Sequence, residues 1–300
     1  MGISSGDFIF TNLEKLPEPG IEVFCEDFVI KPGGAANTPC ALEKLGLSVA
    51  FVTTLGKDLA GSIVYNNLKD CGFDMSPILY HEKARTTVSA VLSQKDDRAF
   101  ATFLPPSDKE LEIAMIRKFA PLSKHIHAYM FDCFDMPILE IAAQNRTTLS
   151  VDTSWSETVR LKDIRGILEC CDIFFANEQE ACRITDSISA EKALEILASH
   201  AKATVVVKLG SKGSLVWDGS RTIRIPAIAP GEIVDTTGCG DVFCAGFLYG
   251  FLKGWPVEKS ALFGSVTGGL TATFFGGVDD RFTKETVMHH FNEVLQSQQR

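Results

Sequence analysis

The sequence predicts an α/β fold in which a doubly wound, mostly parallel sheet carries helices on both faces. Two observations support this prediction. From about Leu47 onward, strand-like runs alternate with helical segments, and strands that are separated by helices usually pair in parallel. The 300 residues, 45% hydrophobic and 22% charged, also provide the ordinary composition of a globular protein with a large core.

The elements follow in order along the chain. Residues 49–52 predict a strand, and residues 58–71 predict a helix that ends before Gly72. The S-x-x-E pattern of residues 107–110 is a capping box and predicts the start of another helix. Helical segments separate the strand-like runs that come next, which are residues 126–131, 148–151, 173–175 and 204–209.

Four residues that can bind ligands come directly after strand-like runs. They are Asp152, Asn177, Gly210 and Asp235. In an open α/β sheet, ligands bind beyond the carboxyl ends of the strands. We therefore expect these four residues on one rim of the sheet.

Two segments, residues 8–30 and 84–104, interrupt the alternation because they are β-rich and contain no helical run. Within the second segment, the polar residues 95–98 predict a hairpin turn between two strands. On the sequence alone, both segments could form an antiparallel extension at the edge of the main sheet.

Charge and cysteine usage limit the classes of function. A net charge of −9 argues against binding to a nucleic-acid backbone or to an anionic membrane surface. The nine cysteines include no C-x-x-C pair, which favours a reduced, cytoplasmic location over a disulfide scaffold. The apolar residues 261–275 are too few, and too rich in Gly and Thr, to span a membrane.

Residues 235–241 (DTTGCGD), followed by the apolar run 242–248, are the most informative segment. The glycines let the chain turn sharply, and the apolar run predicts a buried helix. A helix N-terminus binds anions through its N–H groups and its dipole. Asp241 at that terminus indicates a base held beside a phosphate, although an ordinary acidic first turn after a glycine turn would give the same pattern.

Residues 32–37 (PGGAAN) are the second informative segment, and they lead into a helix that ends at Gly46. Asn37 lies in the first turn of this helix, where its amide can donate and accept hydrogen bonds together. Such a group suits a neutral polyol.

With these two segments, the chain resembles the PfkB (ribokinase-like) family of carbohydrate kinases, which has a GG-x-x-N motif early and a D-T-x-G-x-G-D motif late. The resemblance covers nearly the whole chain, in order and at plausible spacing. It implies an ATP-dependent kinase that uses Mg²⁺, with K⁺ as a further cation in some members. It also implies that residues 8–30 and 84–104 form a small β-sheet lid on a core of residues 1–7, 31–83 and 105–300, and that two lids pair in a homodimer.

The resemblance also implies roles for individual residues. Asp241 would be the general base, and Gly238, Cys239 and Gly240 would form the anion hole. The N-x-x-E motif at Asn177 and Glu180 would face the nucleotide, with Glu180 holding Mg²⁺ partly through water. The other implied site residues are Asp7, Gly34, Asn37 and Asp152 for the substrate, Lys208, Gly210 and Gly213 for the nucleotide, and Asp235 for the monovalent cation.

The acceptor stays open between a sugar and a nucleoside, and a catalytically silent sugar-binding regulator on the same fold is the alternative from another class. Ribose is not favoured, because the motif lacks the lysine of GGKGAN, and a phosphorylated sugar would need cationic groups that the motif does not supply. The apolar strand that normally precedes the family's G-x-x-x-x-D pattern, here Gly2 to Asp7, is missing.

Overall fold

The computed structural model describes residues 1–94 and 98–298 and divides into two compact units. The six-stranded unit consists of Met1–Gly2, Lys109–Ile228 and Phe243–Gly269. The four-stranded unit consists of Ile3–Asp108, Ala229–Val242 and the chain from Leu270 onward.

The strands and helices of the described residues alternate along most of the chain. The strands are β1 (Ser4–Thr11), β2 (Asp27–Gly34), β3 (Thr53–Gly56), β4 (Ile78–His81), β5 (Thr87–Ser93), β6 (Arg98–Phe103), β7 (His125–Tyr129), β8 (Thr148–Asp152), β9 (Ile173–Asn177), β10 (Thr204–Lys208), β11 (Ser214–Trp217) and β12 (Thr222–Ile225). The α-helices are α1 (Asn37–Lys44), α2 (Leu59–Asp70), α3 (Lys109–Phe119), α4 (Met130–Asp135), α5 (Ile138–Asn145), α6 (Leu161–Cys170), α7 (Glu178–Thr185), α8 (Ala190–Ala198), α9 (Cys239–Leu252), α10 (Val257–Thr271) and α11 (Lys284–Gln298). None of the helices found there combines the length and apolar character that crossing a membrane requires.

A six-stranded sheet in the order β12-β11-β10-β9-β8-β7 is the centre of the six-stranded unit. Strands β7, β8, β9 and β10 are parallel, and β10, β11 and β12 are antiparallel. The apolar residues of β9 are completely buried, as expected for a strand covered on both faces. The predicted mostly parallel α/β sheet is therefore confirmed.

The parallel strands bring three predicted site residues to one edge of this sheet. Asp152, Asn177 and Lys208 are the last residues of β8, β9 and β10. Asp235 differs from the prediction, because no strand comes directly before it and the preceding strand, β12, ends at Ile225. Instead, the N–H groups of Val234 and Asp235 both donate to the carbonyl of Ala272, at 2.8 and 3.2 Å.

The four-stranded unit contains a sheet in the order β2-β1-β5-β6 and a separate parallel pair, β3-β4. In the larger sheet β1 is parallel to β5, and the other neighbours are antiparallel. Its strands lie largely in the two β-rich segments of the sequence, although residues 12–26 form no strand, and β1 also includes Asp7. The division of the chain into a core and a lid stays a prediction.

Two predicted elements differ in detail, and a third lies mostly outside the described residues. Residues 49–52 form no strand, and the strand begins at Thr53 instead. Strand β7 ends at Tyr129 rather than residue 131, because the Asp132 carboxylate accepts a hydrogen bond from the Tyr129 N–H at 3.2 Å and starts α4. The predicted turn at residues 95–98 lies, apart from Arg98, outside the described residues.

The helix ends follow the sequence closely. The Asp58 side chain accepts a hydrogen bond from the Gly61 N–H at 2.7 Å and caps α2. Gly72 follows this helix with φ +94°, and Gly46 follows α1 with φ +82°. Both glycines adopt the left-handed conformation that favours glycine after a helix.

Candidate active site

Asp241 lies in the first turn of α9, immediately after a glycine turn. Gly238 has φ +73°, and the helix begins at the next residue. The Asp241 Oδ2 atom accepts a hydrogen bond from Asn37 Nδ2 at 3.1 Å, and Thr38 Oγ1 donates to the Asp241 carbonyl at 3.1 Å. The first turn of α1 therefore holds both the side chain and the backbone of Asp241.

Asn37 is the centre of this arrangement in the four-stranded unit. Besides Asp241, its Nδ2 atom donates to the Gly34 carbonyl at 3.3 Å. A Cβ atom on Gly238 would lie 3.0 Å from Asn37 Cγ, and one on Gly277 would lie 2.5 Å from Asn37 Oδ1. Two glycines therefore let the backbone close around the Asn37 amide, which positions Asp241. Substrate binding by Asn37 and Gly34 stays a prediction.

Asp235 organises the loop that precedes α9. Its Oδ1 atom accepts hydrogen bonds from the N–H and the hydroxyl of Thr237 at 3.0 and 2.8 Å. Its Oδ2 atom accepts from the Gly276 N–H at 2.9 Å. The buried carboxylate thus joins the segments around Thr237 and Gly276. Its predicted role as a ligand for K⁺ stays a prediction.

Asp7 is a buried carboxylate on β1, with 6% of its surface exposed. Burial raises its pKa above the ordinary value, although hydrogen bonds from Ser5 and Ser89 act in the opposite direction. The Ser5 hydroxyl donates to Asp7 Oδ1 at 2.6 Å. A side chain at position 33 would overlap the Asp7 carboxylate, so Gly33 is the residue that makes room for it.

A cavity of about 440 Å³ lies within the four-stranded unit beside Asn37. Its walls are largely polar and include Lys31, Lys44 and Asn67. Binding sites for small molecules have volumes of roughly 300–1,000 Å³. The cavity is therefore large enough for a small polar molecule.

Asn177 and Glu180, in the six-stranded unit, form a reciprocal cap on α7. The Glu180 N–H donates to Asn177 Oδ1 at 2.8 Å, and the Asn177 N–H donates to Glu180 Oε2 at 3.0 Å. Thr153 Oγ1 also donates to Glu180 Oε2, at 2.5 Å. In the part of the chain that the structure describes, the other oxygen, Oε1, has no hydrogen-bond partner. A carboxylate fixed through one oxygen fits a Mg²⁺ ion that keeps most of its water.

Lys208 and Asp152 form a buried ion pair at the ends of β10 and β8. Lys208 Nζ lies 2.7 Å from Asp152 Oδ2, and the Cys244 thiol donates to the same oxygen at 3.3 Å. Burial alone would lower the pKa of Lys208, but the charges of Asp152 and its neighbours outweigh burial and raise it. Lys208, predicted for the nucleotide, and Asp152, predicted for the substrate, therefore face each other. Cys244 carries no signal in the sequence, because it stands in a uniformly apolar run.

The turn after β10 contains the predicted nucleotide loop. Gly210 and Gly213 have φ +59° and +87°. A Cβ atom on Gly210 would meet nothing within 4 Å, whereas one on Gly213 would overlap the Ile225 carbonyl. The open side of this turn at Gly210 lets a ligand approach the backbone closely. Nucleotide binding by Asn177, Gly210 and Gly213 stays a prediction.

Comparison with known proteins identifies the family of this chain. The sequence profile of the pfkB family carbohydrate kinases matches residues 1–281. The chain belongs to the pfkB family of carbohydrate kinases. The predicted family and the ribokinase-like fold are thereby confirmed, and the chain is an ATP-dependent phosphotransferase.

Relatives in the pfkB family act on more than one kind of acceptor. The nucleoside kinase of Methanocaldococcus jannaschii is 29% identical over 269 residues, which cover 89% of this chain and 87% of that protein. The ribokinase of Lactococcus lactis is 26% identical over 297 residues, covering 92% and 90%. The structure of Arabidopsis thaliana ribokinase complexed with ribose and ATP superposes with a TM-score of 0.79 at 22% identity, covering 97% and 96%. This last similarity supports the fold alone.

Proposed function

We propose that the chain transfers the terminal phosphoryl group of ATP to a hydroxyl group of an unphosphorylated sugar, with Asp241 as the general base. The observation that carries this proposal is the hydrogen bond between Asp241, in the first turn of α9, and Asn37, in the first turn of α1. It gives the carboxylate a fixed orientation beside a helix N-terminus, where negative charge is stabilised.

Residues of the four-stranded unit would accept the proton of the acceptor hydroxyl and would stabilise the negative charge on the transferred phosphoryl group. Phosphoryl transfer depends mainly on positioning and on neutralisation of charge, so a weak carboxylate base is sufficient for the acceptor proton. The backbone at Gly238, Cys239 and Gly240, together with the dipole of α9, would stabilise negative charge on the transferred group. The Cys239 N–H already donates to the Thr236 carbonyl at 3.3 Å, so Gly238 and Gly240 are the better donors.

Glu180 is the residue that we propose for Mg²⁺, because Oε2 is used in the cap of α7 and Oε1 is not. A bound Mg²⁺ ion would neutralise charge on the phosphates. Glu180→Gln is expected to raise the Mg²⁺ concentration needed for half-maximal activity, while KM for the acceptor changes little.

Activity titrations with Mg²⁺ and Mn²⁺ measure this effect. Glu178→Gln is the matched control, since Glu178 is an acidic residue of the same first turn of α7 and pairs with Lys212 on the surface at 3.4 Å. Full activity in excess chelator would contradict the proposed metal requirement.

A nucleoside is the second candidate acceptor, and the nucleoside kinase of M. jannaschii, at 29% identity, favours it. The test is a release assay for ADP with free sugars and nucleosides in parallel. Turnover that is highest with a free sugar is the expected result. Higher kcat/KM for a nucleoside would replace the sugar by the second candidate, and no turnover with any of these acceptors would contradict the proposed acceptor class.

The four-stranded sheet provides the observation for the proposed lid. Its register places Phe8, Phe10 and Phe28 on one face, where Phe10 and Phe28 have ring centroids 5.0 Å apart. The opposite face carries the buried Asp7 and Ser89. Buried positions alternate with partly exposed ones throughout β5 and, in β1, from Asp7 onward, so an apolar face of this sheet is partly exposed to solvent.

We expect this apolar face to be covered by the same face of a second copy in a homodimer. Exposed apolar patches are disfavoured in a monomer, and two-fold assemblies are the commonest kind. Phe28→Lys, at a position 43% exposed, is expected to shift the protein from dimer to monomer in light scattering. Leu122→Lys, at a position 80% exposed outside this sheet, is the control. A wild-type monomer at micromolar concentration would contradict the dimer and leave the kinase proposal intact.

The location that we propose is the cytoplasm. All nine cysteines are free thiols in the structure, which supports a reducing compartment.

A further inference from the structure

Two cysteines of the four-stranded unit lie side by side next to the proposed active site. Cys40 is in α1, and Cys71 follows α2 as its C-terminal cap. Their sulfur atoms are 3.2 Å apart, although the residues are separated by 31 positions in the sequence. A disulfide bond has a length of about 2.05 Å. The two sulfur atoms would therefore need to approach each other by about 1 Å.

Small reagents can reach this pair. Both cysteines line the cavity of about 440 Å³, which also borders Asp280. The Asp280 side chain is fully exposed, so the cavity is open to solvent. Cys71 is half-buried, whereas Cys40 is only 4% exposed. Cys71 is therefore the thiol that a reagent meets first.

The two thiols differ in their tendency to ionise. The hydrogen bond with Cys40 lowers the pKa of the Cys71 thiol, and the charge of Lys44 acts in the same direction. The same hydrogen bond, together with burial, raises the pKa of Cys40. A thiolate is the nucleophile in disulfide exchange. Cys71 is thus suited to attack first, and Cys40 to complete the reaction.

Cys40 is also connected to the proposed base. It lies one turn after Asn37 in α1, and Asn37 Nδ2 donates to Asp241 Oδ2 at 3.1 Å. Thr38, in the same turn, donates to the Asp241 carbonyl. A movement of α1 by about 1 Å toward Cys71 would therefore disturb both contacts, and a displacement of about this size can lower a rate by roughly 100-fold.

We propose that Cys40 and Cys71 are a thiol–disulfide modification site, and that the disulfide displaces the first turn of α1 from Asp241 and lowers the kinase activity. The effect on activity rests on the proposed function.

The oxidant is a low-molecular-weight disulfide such as oxidised glutathione. The Cys71 thiolate attacks one sulfur of that disulfide, a mixed disulfide forms, and the first glutathione leaves as a thiolate. Cys40 then loses its proton and attacks the Cys71 sulfur, so that the second glutathione leaves. Two protein thiols are oxidised to one disulfide, and one small disulfide is reduced to two thiols.

The test uses the full chain, first reduced and then treated with oxidised glutathione. Peptide mapping by mass spectrometry after thiol blocking should find Cys40 joined to Cys71, with the loss of two hydrogen atoms. Hydrogen exchange should become faster in the first turn of α1, and turnover should fall by about tenfold or more. Dithiothreitol should restore the exchange rates and the turnover.

Two variants and a control separate this site from the other thiols. Cys71→Ser should form no cross-link and should keep its turnover in oxidised glutathione. Cys40→Ala should stop at the mixed disulfide on Cys71. Cys170→Ser, which removes an exposed thiol of α6, should behave as the wild type does.

Absence of the cross-linked peptide would overturn the proposal, and so would a cross-linked protein whose hydrogen exchange in α1 or whose turnover is unchanged. A reduced wild-type protein without any kinase activity would instead contradict the proposed function. In that case the peptide map and the hydrogen exchange of α1 still decide whether the disulfide forms and whether it moves the helix.

Discussion

Asp241→Asn is expected to lower turnover by about 10²–10⁴-fold, the usual contribution of a general base. Asparagine has nearly the size of aspartate, and its amide can still form a hydrogen bond with Asn37, which lies 3.1 Å from the carboxylate. The fold and the affinity for ATP should therefore be unchanged. Steady-state kinetics and nucleotide calorimetry measure the two effects separately.

Asp280→Asn is the matched control for this variant. It makes the same chemical change in the same unit, at a fully exposed residue whose ion pair with Lys44 is long, at 3.4 Å. Its turnover should stay within a few-fold of the wild type. If Asp241→Asn also kept near-normal turnover, Asp241 would not be the base.

Lys208→Met is expected to lower the free energy of unfolding by about 3–5 kcal/mol, because it leaves a buried carboxylate without its partner. Asp152 is 3% exposed, and its Oδ1 atom already has no hydrogen-bond partner among the described residues. Combining Lys208→Met with Asp152→Leu removes both charges and should recover most of the loss.

Denaturant titration followed by tryptophan fluorescence measures this stability. The three tryptophans, Trp155, Trp217 and Trp255, all belong to the six-stranded unit, as the ion pair does. Lys202→Met is the control, since Lys202 is 51% exposed and pairs with Asp172 at 2.8 Å on the surface. Its expected effect is less than about 1 kcal/mol. An equally small effect of Lys208→Met would show that the buried pair contributes little to stability.

Local patterns predicted the helix ends and the parallel strands well, because neighbours in the sequence decide them. Asp58 and Gly72 mark the ends of α2 through hydrogen bonds and backbone conformation that involve only nearby residues. Residues 49–52 gave a wrong strand prediction for a physical reason. Phe51 and Val52 are buried, but apolar residues can be buried without pairing in a sheet, and the pattern reports burial.

Contacts between distant residues could not be predicted in the same way. The resemblance to the pfkB family indicated both Asn37 and Asp241, but the hydrogen bond between them joins residues 204 positions apart. The sequence also gave no sign that Lys208 would pair with Asp152, 56 positions away. Which polar residues face each other is decided by packing, and a single sequence contains no direct record of packing.

The close contact between Gly33 and Asp7 limits how this protein can change during evolution or in a mutant library. Any side chain at position 33 would occupy the space of the Asp7 carboxylate, so nearly every single substitution there should be lost from a library selected for activity. Variants at position 33 become accessible only after Asp7 has been replaced by a smaller residue, which makes the order of mutations decisive. Diversity around Asp7 is therefore more easily introduced at Ser89, which pairs with Asp7 on the strand opposite β2 and whose hydroxyl can be removed without a steric clash.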